Sequence, residues 1–340
     1  MRKLSLKETA SILGKGIPAY LKGYPTVVSF EMTYSCNADC NHCNMGGRVK
    51  EKQIGPADYR RLMKQLKPVI VQISGGEPLL RDDLADVMRA IKPAGPATPY
   101  MIVVSNGWLL TLEKYLALRE AGMNQLSISL CFPDSRHDQW RHIEGLFDHL
   151  DRTIPQLAAL GHDDVVLNCA ITRENMPHVM DIARTAERWG VSISYSAYSV
   201  LRTGNHDYTI ESPEDLATLR NQLDKLRSYK EINCGRILNA DFNIEGTFEF
   251  FEKGEIKPCS AGLRFLVVTP EGYLKPCSMH GREYTSLKDI RRSFVPTNDC
   301  GGCYVSIRSY LDKSLPVLLK EYLGAHSFNK YKVPRAAELA

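Results

Sequence analysis

Six short runs rich in β-branched and aromatic residues recur between about residues 26 and 200: TVVSFEMT, VIVQIS, MIVVS, QLSISL, VVLNCAIT and VSISYSA. Stretches of helical pattern separate them. This alternation constrains the fold more than any other feature, because strands joined by helical crossovers pair in parallel within one sheet. The nearly continuous apolar content of the runs predicts strands covered on one face by helices. Between them, Tyr59, Leu62, Met63 and Leu66 follow the i, i+3, i+4, i+7 spacing of a buried helical face. Leu84, Val87, Met88 and Ile91 do the same, as do Val179, Ile182, Ala183 and Ala186. Gly122 and Gly190 stand where left-handed C-terminal caps belong, and Asn175 with Pro177 and Ser212 with Pro213 mark helix starts. Pro155 is expected to bend or interrupt the fourth helix. Either an open doubly wound sheet or a barrel satisfies six βα units, and in both the chemistry belongs at the carboxyl ends of the strands.

The chain has 340 residues, enough for one large α/β unit and a smaller appendage. After about residue 205 the rhythm changes to one helix from Ser212 to about Tyr229, then a cysteine-containing region with a hairpin in GLRFLVVTPEGYLKPC. A net charge of +4 with no basic block argues against a nucleic-acid partner. Charged residues and glycines interrupt every apolar stretch of the first 25 residues, so neither a signal peptide nor a membrane span is expected and a cytoplasmic location follows. In that reducing setting, ten cysteines read as metal or redox groups rather than disulfides.

Cys36, Cys40 and Cys43 form C-x3-C-x2-C directly after the first strand. A loop this short can wrap three corners of an iron–sulfur cube, which ordinarily takes four thiolates, leaving one iron open to a non-protein ligand. Zinc held by the three thiolates and His42 is the alternative, although His42 and Cys43 are sequence neighbours and poorly placed to share one ion. After the second strand comes Ser74-Gly75-Gly76-Glu77-Pro78, two residues without Cβ and a carboxylate that can accept from an ammonium group. By itself this is an ordinary strand-to-helix turn.

Together, C-x3-C-x2-C after strand one and GGEP after strand two resemble the radical S-adenosylmethionine (SAM) superfamily over about residues 26–200. The resemblance implies an α/β fold, a partial (β/α)6 TIM-like barrel. It implies a [4Fe-4S] cluster on Cys36, Cys40 and Cys43 whose open iron is chelated by SAM, with His42 near the adenine. Gly75, Gly76 and Glu77 would bind the methionine ammonium, and Ser105 and Asn168 the ribose. The expected activity is reductive cleavage of SAM to a 5′-deoxyadenosyl radical that abstracts hydrogen from a substrate. Cys131 stands where many members carry aspartate. The following Asp134, Arg136, His137 and Asp138 shape either a substrate mouth or a solvated loop.

Cys259, Cys277, Cys300 and Cys303 form a second set, with Gly272 in the hairpin turn. Zinc and iron–sulfur explain four such thiolates equally well. Beside a radical SAM core they resemble the twitch/SPASM extension, which implies a second, auxiliary [4Fe-4S] cluster in a small C-terminal cysteine-rich α+β subdomain. Cys234 is a rival ligand. The expected organisation is an N-terminal extension over 1–25, a core over 26–210, and over 211–340 a linker helix, auxiliary-cluster subdomain and helical tail. The resemblance implies oxidation or modification of a small molecule or peptide, and an external one-electron donor such as flavodoxin or ferredoxin. No catalytic acid or base is singled out. The alternatives are a lipid substrate approached through the basic, apolar first 25 residues, and a non-catalytic zinc or iron–sulfur protein. Cys131 and Cys169 are read mainly as core, whereas Tyr195 and Tyr198 fit a substrate cavity and a strand-end core equally well. The segment holding Tyr310, Leu311, Leu315, Val317, Leu318 and Leu319 either closes the barrel or meets a second chain.

Overall fold

A computed structural model describes residues 6–92, 98–233, 236–318 and 320. Cys234, Leu319 and the first five residues lie outside them. Eight strands form one sheet in the order β6-β5-β4-β3-β2-β1-β7-β8. Strands β1 (Val27–Glu31), β2 (Ile70–Ser74), β3 (Tyr100–Ser105), β4 (Gln125–Ser129), β5 (Val165–Ile171) and β6 (Ser192–Ala197) all pair in parallel. They match the six runs to within a few residues. The end strands β6 and β8 do not pair, so the barrel is open.

The helices follow the apolar spacing. Helices α2 (Pro56–Leu66), α3 (Leu84–Ile91), α4 (Leu112–Glu120), α5 (Arg136–Arg141), α6 (Leu146–Ala159) and α7 (Val179–Arg188) come after α1 (Leu6–Leu21). Gly122 and Gly190 have φ of 105° and 75°, as a left-handed cap requires. The Ser212 hydroxyl accepts from Asp215 N and caps α8 (Pro213–Ile232). Pro155 does not interrupt its helix: α6 runs through it from Leu146 to Ala159. The missing N–H is outweighed by the buried face of Leu146, Leu150, Ile154 and Leu157, each such side chain contributing about 1.5–3 kcal/mol.

The strands are less uniformly apolar than expected. Val28, Phe30, Val71, Ile73, Met101, Val103, Leu126 and Ile128 pack under the helices in one core. Alternate positions face the other way, and there Gln72, Gln125, Ser127, Asn168, Ser194 and Ser196 bound a cavity of about 1080 Å³. The inner wall thus mixes these polar side chains with Ile102, Val166 and Phe265, and it surrounds space instead of filling it.

Two features of the C-terminal half lay beyond the sequence pattern. The hairpin of β7 (Phe265–Val268) and antiparallel β8 (Leu274–Lys275) forms as expected, with Gly272 at φ 92°, but β7 also pairs in parallel with β1 and extends the barrel sheet. Helix α9 (Asp241–Lys253) and the short α10 (Leu287–Asp289) precede α11 (Ser306–Leu311). Ala197 N of β6 donates to Tyr304 O, and Ser306 N to Ser196 Oγ. Residues 276–305 therefore run from the β8 edge to the β6 edge across the opening. Tyr310 is tied to Leu238 and Ala240, so this part of the tail packs onto its own chain. Helix α1 lies at the opposite end, where strands begin: Ser11 meets Thr98 just before β3, and Arg264 just before β7 stacks on Tyr20. No described helix is long and apolar enough to cross a membrane.

Candidate active site

The loop after β1 carries Cys36, Cys40 and Cys43, all free thiols, the first two buried. Backbone bonds shape it: Cys36 N donates to Gly47 O and Cys43 N to Cys40 O. It is also fastened to α5, whose last carbonyls accept from the loop, Asp39 N to Arg141 O at 3.3 Å and Asn41 N to Trp140 O at 3.1 Å. Glu51 closes the base, accepting from Tyr34 N at 2.8 Å and from the Thr33 hydroxyl.

The glycines of GGEP are needed by the protein itself. Gly75 has φ 124°, and a Cβ there would overlap Thr33 O; a Cβ on Gly76 would overlap Ser35 O. Gly76 N donates to Thr33 O at 2.7 Å and Glu77 N to Ser35 O at 2.9 Å, so the turn is laid backbone to backbone against the root of the cysteine loop. Glu77 is 1% exposed and already accepts from Leu79 N (3.0 Å), Ser105 Oγ (2.8 Å) and Asn106 N (2.8 Å). Burial pushes its carboxyl above the usual range, against the pull of these donors. Ser105 is thereby committed to Glu77, and the two join the ends of β2 and β3. Asn168, in contrast, faces the cavity.

His42 lies parallel to Trp140, ring centroids 5.7 Å apart, and its Nδ1 accepts from the indole Nε1 at 2.7 Å. Burial, then the charges of Arg141 and Arg202, hold its pKa well below the ordinary value, so it is neutral with its proton on Nε2. The loop after β4 is not solvated throughout: His137 is fully buried, and Asp138 accepts from Gly145 N and Phe147 N at the start of α6. Cys131 and Cys169 are buried, as is Tyr195, whose hydroxyl donates to Val179 O on the helix side.

Three neighbours of the cysteines carry no motif of their own. Asn106 Nδ2 donates to Asn37 Oδ1 (2.8 Å) and sits 4.0 Å from Cys36 Sγ; its only sequence signal is the Asn-Gly turn after β3. Trp140 and Arg141 reach the loop from about 100 positions away. Arg141 Nη1 lies 3.4 Å from Cys40 Sγ and Nη2 3.2 Å from Cys131 Sγ.

Across the cavity, Cys259, Cys277, Cys300 and Cys303 all line the same space as the inner strand residues. Burial lifts Cys259 to about 11 and Cys277 to about 12. Asn298 links two of the segments, donating to Cys259 O at 2.7 Å and accepting from Cys300 N. Arg308 gathers the rest: it donates to Cys303 Sγ (3.6 Å) and to the carbonyls of Cys303, Ile256 and Pro258, and its Nε meets Asp312 at 2.8 Å. Among the described residues no three His, Cys, Asp or Glu side chains converge tightly enough to hold a single metal ion. A cube needs no such convergence, since each thiolate takes a separate iron. Clustered thiols with an amide or guanidinium donor near Cys36, Cys40 and Cys303 fit a polynuclear iron–sulfur group, whose potential such donors tune.

Residues 30–186 match the model of the radical SAM superfamily. The AdoMet-dependent heme synthase of Oleidesulfovibrio alaskensis is 24% identical over 285 residues, 78% of this chain and 72% of that protein. The PqqA peptide cyclase of Gluconobacter oxydans is 25% identical over 265 residues, covering 74% and 70%. The crystal structure of Streptococcus suis SuiB bound to S-adenosylmethionine superposes with a TM-score of 0.62 at 16% identity, covering 78% of this chain and 64% of that one. The structural likeness establishes the fold, and the chain spans just under two thirds of SuiB. With the cysteine loop, the glycine turn and the open parallel barrel in place, residues 30–186 form a radical SAM superfamily domain, of a family whose members use SAM and a [4Fe-4S] cluster.

Proposed function

We propose that this enzyme oxidises or otherwise modifies a peptide or small polar molecule within the cavity between its barrel wall and its C-terminal cysteines. When bound, a [4Fe-4S] cluster would supply the electron that cleaves SAM and so yields the 5′-deoxyadenosyl radical that takes hydrogen from substrate. Cys36, Cys40 and Cys43 would hold that cluster. Gly75 and Gly76 would keep backbone groups at the cosubstrate's edge, and Glu77 would brace the turn. His42, fixed by Trp140, would present its Nε2–H, and Asn168 would contribute a ribose contact.

The observation that carries this reading is the shared cavity. One space of about 1080 Å³ touches Gln72, Ser127 and Asn168 on the strands and all four C-terminal cysteines. A second [4Fe-4S] cluster on Cys259, Cys277, Cys300 and Cys303 would therefore border the substrate. Fully ligated, it would exchange electrons instead of binding substrate, which suits an oxidation. We divide the chain accordingly into a helix under the barrel, a core ending near residue 210, and a C-terminal segment that would bring the second cysteine set across the opening.

The name of the PqqA peptide cyclase supports a peptide substrate, and that of the heme synthase a small molecule. Amide and hydroxyl groups on the strand wall would orient the polar groups of either. An external donor such as flavodoxin or ferredoxin would supply the electrons. Anaerobic reconstitution tests the whole reading. Two clusters' worth of iron and sulfide per chain and release of 5′-deoxyadenosine with SAM and dithionite are expected; a colourless, zinc-containing protein would end it.

A further inference from the structure

We infer that Arg141 raises the reduction potential of the N-terminal cluster through the sulfur of Cys40, and that Cys131 keeps the guanidinium available for that task. This rests on Cys36, Cys40 and Cys43 being the cluster ligands.

Arg141 ends α5 and is 8% exposed. Its two terminal nitrogens approach two sulfurs, Cys40 Sγ at 3.4 Å and Cys131 Sγ at 3.2 Å, and its Nε has no protein partner. No carboxylate among the described residues forms an ion pair with it; its nearest partners are the sulfurs of Cys131 and Cys40. Glu77 lies farther off, committed to its own donors. His42 and His137, also close, are held neutral by burial.

A buried cation without a counter-ion is strongly unfavourable, so this pocket is built to face negative charge. Thiolate ligands provide it. Reduction adds one electron to the cluster, so a fixed positive charge donating to a ligand sulfur favours the reduced form. The residue at 131 decides how much of that charge reaches Cys40. A carboxylate there would form a bidentate ion pair and draw the guanidinium away. The single sulfur of Cys131 engages one guanidinium nitrogen and leaves the other for Cys40. Arg308 provides the contrast within the same chain: it too donates to a cysteine sulfur, but its charge is met by Asp312.

The test is a potentiometric titration of the reconstituted enzyme followed by electron paramagnetic resonance. It is run without SAM and read on the signal that responds to later SAM addition. Arg141→Met and Cys131→Asp are each expected to shift the reduction equilibrium about tenfold toward the oxidised form, ~59 mV for a one-electron couple. The double variant should go no further than Arg141→Met. Arg141→Lys should recover most of the shift, and Cys131→Ser should titrate like wild type. If Arg141→Met takes up no cluster, Cys131→Asp against Cys131→Ser still decides the matter. An unchanged potential in Cys131→Asp overturns the inference. So does an unchanged potential in Arg141→Met joined to weakened SAM binding, which would assign the guanidinium to the cosubstrate. Failure of wild type to assemble any cluster would instead overturn the functional proposal beneath it.

Discussion

The two cysteine regions are built on opposite principles. In the N-terminal one, three thiols sit on a single eight-residue stretch, and the fold's work is to brace that stretch from outside: Gly75 and Gly76 beneath, Asn106 beside, α5 above. In the C-terminal one, four thiols come from three separated segments, and the work is to gather them, through Asn298 and the many-carbonyl grip of Arg308. A local loop can leave one corner open, whereas a gathered set closes on itself. The same contrast runs through the arginines, one facing sulfur alone and one paired with Asp312.

The largest expected effect separates the two regions by activity. Cys40→Ala should abolish 5′-deoxyadenosine formation altogether, while Cys277→Ala should lose one cluster's iron yet still cleave SAM without completing the substrate reaction. Chromatographic assay of 5′-deoxyadenosine beside iron analysis reads both, and equal losses in the two variants would erase the distinction. Next comes Gly76→Ala. Its Cβ meets Ser35 O, so the cysteine loop must shift, and the variant should retain only the C-terminal cluster's iron while its melting temperature falls.

Arg308→Met should act on folding. It leaves Asp312 with Ser260 but no cation and frees several carbonyls, a loss of about 3 kcal/mol in a urea titration, whereas Arg141→Met, with no carboxylate partner to strand, should lose less. The smallest effect belongs to Trp140→Phe. It keeps the stacking on His42 but removes one hydrogen bond, about 1 kcal/mol, and should weaken SAM binding about fivefold by calorimetry.

Much of this was legible in the chain itself. The six runs became six parallel strands because strand–helix alternation leaves few other arrangements, and the cysteine spacing marked the loop because all three thiols are local. What was hidden is what arrives from afar. Trp140 and Arg141 touch the loop across about 100 positions, and no local pattern marks an α5 carboxyl end as a clamp. β7 reads as half of a hairpin, and its pairing with β1 is a property of the open barrel edge. The donors that Glu77 gathers within the protein, from Leu79, Ser105 and Asn106, were equally hidden, since a buried carboxylate draws on whatever donors the fold brings near. The polar part of the inner wall was blurred because Ser, Gln and Asn alternate with strongly apolar residues inside runs of only a few residues.

The central claim is that the three-thiol loop holds a cluster with one iron left for SAM. The most direct measurement is electron paramagnetic resonance of the dithionite-reduced Cys277→Ala enzyme before and after SAM is added, so that the N-terminal signal stands alone. A [4Fe-4S]⁺ spectrum that changes on SAM addition is the predicted result; a spectrum indifferent to SAM, or none at all in iron-loaded protein, would contradict it.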